Sequence, residues 1–365
     1  MEASGRGVRR RQTAPRTGLT VGVTGAAGPL GYGLASRLLD EPTVGQVVGL
    51  DTSAADLPSV VWRTVDVRDP TLASQLGDLE VLVHLATDRS TVTPAADRWA
   101  VNVRGTETVV AAAAAAGVRR LVLVTSAMVY GAAAGNAVPL DEDAALLPGS
   151  PDGLVGEWLA MERAAADGVA RDGLAVTVIR PASLVGVVAD ALLPGLFESV
   201  RLLEIRDGRC HWQFCHTDDL LAALVAAVRG DVAGVVTVGC EGWLEQADVA
   251  AIAGMRSLGV RRAVAAAAAG RLHRLGVLGS PASELHYLTH PWVVGSQRLR
   301  ASGWRPEWTN EQALREHLRL LGDRAGRSLL VVDRSGATRA AAAGAGATVA
   351  VVGSVLLARS RARQR

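Results

Sequence analysis

Apolar runs alternate with helix-periodic stretches along the first half of the chain. Continuous apolar runs predict buried strands at 19–24, 46–51, 60–67, 81–87, 120–131 (whose end continues as a loop) and 174–181. Between them, apolar residues at helical spacing predict helices at 29–40, 99–116 and 153–170. Because strands and helices alternate in this way, we expect an α/β fold with a doubly wound parallel sheet, its first domain spanning 19–181.

The alternation becomes less regular after residue 181. Between 182 and 322, turn-like glycines and prolines separate short apolar stretches. We interpret this part as a smaller C-terminal substrate domain whose elements are interleaved with late strands of the sheet. Thr309 and Gln312 have the spacing of a capping box and predict a helix start there.

The two ends of the chain differ from the body. Residues 1–18 are basic and lack apolar periodicity, which predicts a disordered arm. Within the tail 323–365, the segment 340–358 has 19 uncharged residues. As a helix it would be roughly 28 Å long, close to the ~30 Å hydrocarbon core of a bilayer. It therefore predicts a C-terminal membrane anchor, with a flexible Ala/Gly tail as the alternative.

Charge and composition exclude several classes of function. The net charge of +2 favours neither a nucleic-acid partner nor a funnel for acidic substrates. Three cysteines do not make a disulfide framework, so we expect the reducing cytoplasm. All 38 basic residues are arginines, which excludes Schiff-base and P-loop lysines. In CHWQFCH (210–216), a strand would place His211 and Cys215 roughly 13 Å apart at about 3.3 Å per residue, so we expect no metal site.

The stretch TGAAGPLG carries the strongest chemical signal. It follows the first predicted strand and opens the first helix, with Gly25, Gly28 and Gly31 at three-residue spacing. Such a loop lets the backbone approach a pyrophosphate, and the helix N-terminus supplies N–H groups to it. Pro29 suits the first helical turn. Asp51 ends the second strand, where a carboxylate accepts hydrogen bonds from ribose hydroxyls and repels a 2′-phosphate, so the pattern predicts NAD in preference to NADP.

Further motifs resemble those of the extended short-chain dehydrogenase/reductases, in particular the NAD-dependent epimerase/dehydratase branch. The resemblance covers about 19–320 and lies in TGAAGPLG, Asp66-Val67, HLAT (84–87), NVRGT (102–106), VTSAMVYG (124–131), IRPASLVG (179–186) and WQFCHTDDL (212–220). It implies a Rossmann fold, bound NAD and a small-molecule substrate such as a nucleotide sugar. A homodimer is an arrangement that the sequence leaves open.

The resemblance also implies which residues bind the cofactor. Asp66 and Val67 would hold the adenine, HLAT would line the cofactor, and the segment around Pro181 would pass the nicotinamide. With the residues of the glycine loop, the expected set is Gly25, Gly28, Pro29, Leu30, Gly31, Asp51, Asp66, Val67, Leu85, Ala86, Thr87, Asn102 and Pro181.

The residues at the positions of the family's catalytic side chains depart in part from the family pattern. By resemblance, Ser126 takes the place of the catalytic Ser/Thr. If Glu162 is aligned with the family's late acidic residue, the Tyr position falls on Leu154 and the Lys position on Trp158. Neither side chain can transfer a proton. The three tyrosines, Tyr32, Tyr130 and Tyr287, all lie outside this helix. Tyr130, four residues after Ser126, is a candidate substitute acid, and the sequence leaves the position of Tyr287 open.

Two hypotheses about function stay open at this point. The first is an NAD-binding protein of the epimerase/dehydratase type that acts on or binds a nucleotide-sugar-like molecule. The second is a non-catalytic module that senses NAD or docks a partner, anchored to a membrane if 340–358 spans one. We further expect His84 to be a core histidine and Glu157 to be a solvated helix carboxylate.

Overall fold

The computed structural model describes residues 18–147, 152–190, 192–275 and 282–332. The predicted anchor at 340–358 lies outside these ranges, as does all but the last residue of the predicted arm. Within these ranges, no helix combines the length and the apolar character needed to cross a bilayer.

The strands confirm most of the predicted pattern. In chain order they are β1 (Leu19–Thr24), β2 (Val44–Asp51), β3 (Val61–Thr64), β4 (Val81–His84), β5 (Arg120–Val124), β6 (Ala175–Pro181), β7 (Ser183–Val185), β8 (Arg201–Ile205), β9 (His211–Trp212), β10 (Phe214–His216), β11 (Gly234–Val238), β12 (Leu244–Glu245) and β13 (Arg256–Val260). The third and fourth strands are shorter than predicted, and residues 85–87 form a loop.

The helices follow the predicted rhythm with one interruption. They are α1 (Pro29–Leu39), α2 (Ala95–Trp99), α3 (Gly105–Ala115), α4 (Leu154–Asp172), α5 (Leu192–Phe197), α6 (Thr217–Arg229), α7 (Gln246–Ile252), α8 (Arg262–Arg274), α9 (Gln297–Ala301) and α10 (Asn310–Val332). The single helix predicted at 99–116 is instead α2, a π-helical segment at Ala100–Arg104, and α3. Short 3₁₀ turns occupy Leu72–Gln75, Ala127–Tyr130 and Ala282–Leu288.

Seven parallel strands form the central sheet, in the order β11-β6-β5-β4-β1-β2-β3. This is the predicted doubly wound arrangement. The strand order reverses between β1 and β4, and in open α/β sheets ligands bind outside the carboxyl ends of the strands at this point. Loops after β1, β4 and β5 therefore meet at one edge of the sheet.

Helices cover both faces of the sheet. Along β4, Val81 and Val83 join one apolar cluster and Leu82 joins the other, because successive side chains of a strand point to opposite faces. Helices α1 and α6 pack on the first face. Helices α3 and α4 pack on the second. Burial on both faces explains why the strands are continuous apolar runs rather than alternating ones.

Elements after β6 contribute both to the central sheet and to smaller sheets. β11 is one of the two edge strands of the central sheet, whereas β7 pairs with β10, β8 with β13 and β9 with β12. The predicted capping box is confirmed: Thr309 and Gln312 exchange hydrogen bonds at the start of α10, 3.0 and 3.2 Å long. Helix α6 begins at Thr217, where the side chain of the N-cap residue His216 accepts a hydrogen bond from the Asp218 N–H.

Candidate cofactor and active site

The glycine loop between β1 and α1 has three glycines with different physical roles. Gly25 has a φ of +69°, and a Cβ there would lie 2.7 Å from the Ala86 nitrogen. A Cβ on Gly31 would clash with the Gly25 carbonyl oxygen and lie 2.7 Å from the Ala26 Cα. Gly28 differs, because a Cβ on it would meet only the Gly25 oxygen, at 3.3 Å, among the described atoms. The loop therefore needs Gly25 and Gly31 for its own packing, while Gly28 leaves open space at its surface.

The N-terminus of α1 is suited to an anion. Gly28 is the N-cap residue and has no side chain to accept from the first-turn N–H groups, and Pro29 opens the helix. The first turn carries no acidic residue. The unpaired N–H groups and the helix dipole thus remain available to a phosphate at this position. The open space at Gly28 and this uncapped helix end fit the pyrophosphate of a dinucleotide.

Asp51 lies beside the loop, at the end of β2. One carboxylate oxygen accepts a 2.9 Å hydrogen bond from the Ala27 N–H, and the other accepts a 2.7 Å hydrogen bond from the Thr52 N–H. These bonds fix the carboxylate against the glycine loop. An ionised carboxylate offers about four acceptor positions, so capacity for ribose hydroxyls remains.

The predicted adenine residues are held differently from one another. The Asp66 carboxylate is ion-paired with Arg68, whose Nη2 lies 2.6 Å from Oδ2. Hydrogen bonds from this guanidinium hold the pKa of Asp66 below its ordinary value. Val67 is buried and contacts the start of α3 at Gly105. Asp66 would therefore share its carboxylate between Arg68 and any adenine amino group.

The loop after β4 is fixed by two polar side chains. The Thr24 hydroxyl accepts hydrogen bonds from the N–H groups of Leu85 and Ala86, at 3.1 and 3.2 Å, and Thr87 follows in the same loop. The Asn102 side chain is fully buried, and its amide binds both the N–H and the C=O of Asp88, at 2.7 and 2.8 Å. Asn102 would thus act on a cofactor through the loop that it holds.

The prediction that His84 is a core histidine is confirmed. Its Nδ1 lies 2.8 Å from the Thr24 hydroxyl and its Nε2 lies 3.1 Å from the Thr106 hydroxyl. Burial lowers the pKa of His84 to about 4, so the ring is neutral at pH 7. It joins β1, β4 and α3.

The prediction that Glu157 is solvated is wrong. Its side chain is 3% exposed and pairs with Arg98, whose Nε lies 2.9 Å from Oε1, while Oε2 accepts a 2.6 Å hydrogen bond from Asn102. Burial raises the pKa of Glu157, although the bonds from Asn102 and Arg98 oppose that shift. Arg98, Asn102 and Glu157 form one buried polar cluster, called the loop clamp below.

Ser126 and Tyr130 are both buried. The Ser126 side chain has no exposed surface, and its Oγ accepts a 3.2 Å hydrogen bond from the Met128 N–H. The Tyr130 hydroxyl donates a 3.0 Å hydrogen bond to the Glu142 carbonyl oxygen. Burial raises the pKa of the Tyr130 phenol. The structure places both residues at the carboxyl end of β5 and shows them engaged with the backbone.

The two positions that resemblance assigns to the proton-transfer pair are filled by apolar packing. Leu154 and Trp158 on α4 are 7% and 2% exposed. Both belong to an apolar cluster that also contains Leu123 and Met128. The apolar face of this helix therefore serves the core, and no titratable group occupies either position.

A buried ion pair lies behind the end of β5 and was not predicted from the sequence. Glu162 pairs with Arg180 at 2.6 Å and accepts a 2.7 Å hydrogen bond from the Thr125 hydroxyl. The Arg180 guanidinium also lies over the Tyr130 ring, 4.7 Å from its centroid. Pro181, predicted beside the nicotinamide, follows Arg180 as the last residue of β6 and is buried.

A second unpredicted charge enters the site from the loop after β4. The Arg89 guanidinium lies 5.2 Å from the centroid of the Trp158 ring and donates to the Thr125 carbonyl oxygen at 3.2 and 3.1 Å. It also donates to Asp190 at 3.3 Å. In the part of the chain that the structure describes, no three His, Cys, Asp or Glu side chains come together as a candidate metal site.

Comparison with known proteins gives a consistent family. The model of the "NAD dependent epimerase/dehydratase family" matches residues 21–239. An uncharacterised protein of Mycobacterium tuberculosis is 27% identical over 317 residues, which cover 81% of this chain and 82% of that protein.

Solved structures share the fold. The dTDP-glucose 4,6-dehydratase DesIV of Streptomyces venezuelae, solved with NAD bound, has a TM-score of 0.64 and 23% identity over 85% of this chain and 98% of its own. The UDP-glucuronic acid 4-epimerase of Bacillus cereus, also in complex with NAD, has a TM-score of 0.63 and 16% identity over 84% and 99% of the two chains.

Proposed function

The chain belongs to the NAD dependent epimerase/dehydratase family, and on that premise we propose that it binds NAD along the carboxyl edge of the sheet. The observation that carries the proposal is the open space at Gly28 beside the uncapped N-terminus of α1. A pyrophosphate needs both, because its oxygens must approach backbone N–H groups closely.

We assign the remaining predicted residues to the rest of the cofactor. Asp51 would bind the adenosine ribose, Asp66 and Val67 the adenine, Leu85 to Thr87 would line the cofactor, and the segment around Pro181 would pass the nicotinamide. When bound, NAD supplies a hydride acceptor. The Asp51 carboxylate would repel the 2′-phosphate of NADP, so NAD is the preferred ligand.

The second ligand that we propose is a nucleotide-sugar-like small molecule, bound without Tyr-dependent hydride transfer. The structural neighbours named above act on such molecules, which supports this substrate class. Against ordinary turnover stand Leu154 and Trp158, since neither side chain titrates. General acid–base assistance is typically worth about 10²–10⁴ in rate, so its loss leaves at most feeble turnover.

A non-catalytic role in sensing NAD or docking a partner is the second candidate function. The burial of Ser126 and the engagement of the Tyr130 hydroxyl with the Glu142 carbonyl favour it. Mass spectrometry of small molecules that co-purify with the protein, followed by turnover assays with sugar nucleotides, separates the two functions.

Isothermal titration with NAD and NADP tests the cofactor. We expect wild type to bind NAD more tightly than NADP. Asp51→Asn can still accept the Ala27 hydrogen bond but lacks the charge, so it should lose the preference while keeping the loop. Asp172→Ala, which removes an exposed-surface ion pair at the end of α4, is the matched control. Equal or tighter binding of NADP by wild type would show that the cofactor assignment is wrong.

A further inference from the structure

Arg89 brings a positive charge to the position where the family resemblance expects the lysine. Its guanidinium lies over Trp158, the residue at that position, 5.2 Å from the ring centroid. Its two terminal nitrogens donate to the carbonyl oxygen of Thr125, which immediately precedes Ser126. A cation is therefore present at this end of the site, supplied by the loop after β4 instead of by α4.

The loop clamp holds the backbone on both sides of Arg89. Asn102 binds the N–H and C=O of Asp88, and Arg98 donates a 3.1 Å hydrogen bond to the Ser90 carbonyl oxygen. Asn102 and Arg98 in turn both bind Glu157, which precedes Trp158 on α4. Glu157 therefore connects the loop that carries Arg89 to α4, the helix that carries Trp158, and this connection fixes the guanidinium relative to the indole. A fixed side chain loses less conformational entropy when it binds a ligand.

The guanidinium has donor capacity that the protein does not use. Its three hydrogen bonds engage three of the five N–H groups of an arginine. Its Nε is covered and has no acceptor among the described residues. Nη1 makes one hydrogen bond, so its second N–H is the donor left for an oxygen of a ligand.

The Arg89 guanidinium also forms an ion pair within the protein. The carboxylate that it contacts, Asp190, lies 3.3 Å away and also accepts a 2.8 Å hydrogen bond from the Leu184 N–H. The side chain of Arg89 is 12% exposed, so part of it is within reach of the oxygen atoms of a ligand.

We propose that Arg89 binds the nicotinamide ribose of NAD through hydrogen bonds to its hydroxyl oxygens. This inference rests on the proposed binding of NAD. The resemblance gives the family's lysine two tasks, holding this ribose and lowering the pKa of the tyrosine. A guanidinium can perform the first, since it is always charged and rich in donors. The second task does not apply here, because α4 contains no tyrosine.

Three related ligands separate this contact from the rest of the cofactor site. ADP contains the adenosine and the pyrophosphate, ADP-ribose adds the second ribose, and NAD adds the nicotinamide. We expect Arg89→Ala to weaken binding of ADP-ribose and NAD by about 10- to 100-fold, the loss of hydrogen bonds from a charged donor, and to leave ADP unchanged. Isothermal titration measures all three ligands directly, without any turnover.

Two variants keep the test informative. Arg89→Met retains an unbranched side chain beside Trp158 but has no side-chain N–H donors, so it should fold and show the same selective loss if the alanine variant is unstable. Arg171→Ala removes an exposed arginine at the far end of α4 and should bind all three ligands as wild type does.

The outcomes are distinct. If both Arg89 variants bind ADP-ribose as wild type does, or if they lose ADP to the same extent, the assignment of Arg89 to the ribose is wrong while NAD binding stands. If wild type binds neither ADP nor NAD, the proposed function itself fails, and the inference with it.

Discussion

Replacing Gly28 tests the cofactor loop most directly, because this glycine is open where its neighbours are packed. Gly28 has φ −73° and ψ 161°, an extended conformation that alanine adopts readily. The added Cβ would lie 3.3 Å from the Gly25 oxygen, so that neighbour must give by only a few tenths of an ångström. We therefore expect Gly28→Ala to change the free energy of unfolding by no more than about 1 kcal/mol.

Gly28→Ala should weaken NAD binding far more than it lowers the stability of the fold. In the proposed binding mode, a methyl group at Gly28 would occupy the space in which a pyrophosphate oxygen meets the backbone. Each hydrogen bond to a charged group contributes about 1.5–3 kcal/mol, so losing one weakens NAD binding by roughly 10- to 100-fold. The larger Gly28→Val should abolish binding.

Gly31→Ala is the matched control with the opposite expectation. Its Cβ would clash with the Gly25 carbonyl oxygen, and both this atom and Ala26 Cα belong to the backbone and cannot rotate away. Overpacking of this kind costs about 1–3 kcal/mol or more of stability. Thermal unfolding and isothermal titration with NAD should thus separate the two variants. Wild-type NAD affinity in a folded Gly28→Ala protein would refute the placement of the pyrophosphate.

Four further predictions follow from buried groups and from the tail. Glu157→Ala leaves a buried guanidinium unpaired and should lower the free energy of unfolding by about 3–5 kcal/mol in urea titrations; a loss below 1 kcal/mol would contradict this. The pKa of Asp219 is raised to about 6 by burial, so the folded state binds more protons than the unfolded state between its ordinary pKa and pH 6, and stability from this group falls as pH rises through that window. The difference in free energy of unfolding between Asp219→Asn and wild type should therefore favour the variant more at pH 7 than at pH 4. An equal difference at the two pH values would refute the shift. In turnover assays across sugar nucleotides, Ser126→Ala and Tyr130→Phe should change an already feeble rate little, whereas ordinary turnover that collapses in Tyr130→Phe would identify a working acid. The segment 340–358 should bring full-length protein, but not a 1–335 truncation, to the membrane fraction, and full-length protein in the soluble fraction would rule out the anchor.

The sheet could be predicted from the sequence because its strands are buried on both faces and appear as continuous apolar runs. The end of β4 could not, since it depends on a contact from another strand. The Thr24 hydroxyl accepts from the N–H groups of Leu85 and Ala86 and turns these residues into a loop. Their apolar side chains gave no sign of this.

The glycine loop was predictable for a related reason, since its function depends on residues adjacent in sequence. The loop clamp was not, because Glu157 and Arg98 are 59 positions apart and an acidic helix residue is normally solvated. The position of Arg89 in the site could not be predicted for the same reason. Its contacts with Thr125 and Asp190 join residues 36 and 101 positions away, and nothing in its local sequence distinguishes it from a surface arginine.

The buried position of Trp158 constrains any attempt to install a tyrosine and a lysine on α4. Installing a lysine there would remove a buried indole from the core and place an ammonium beside the Arg89 guanidinium. Two such charges about 5 Å apart repel by about 3 kcal/mol at an effective dielectric constant of 20, enough to lower the lysine pKa by about two units. Installing both residues would therefore involve coordinated changes at Arg89, Leu154 and Trp158. Single substitutions at these positions leave a cavity or an unbalanced charge, so the three side chains constrain one another.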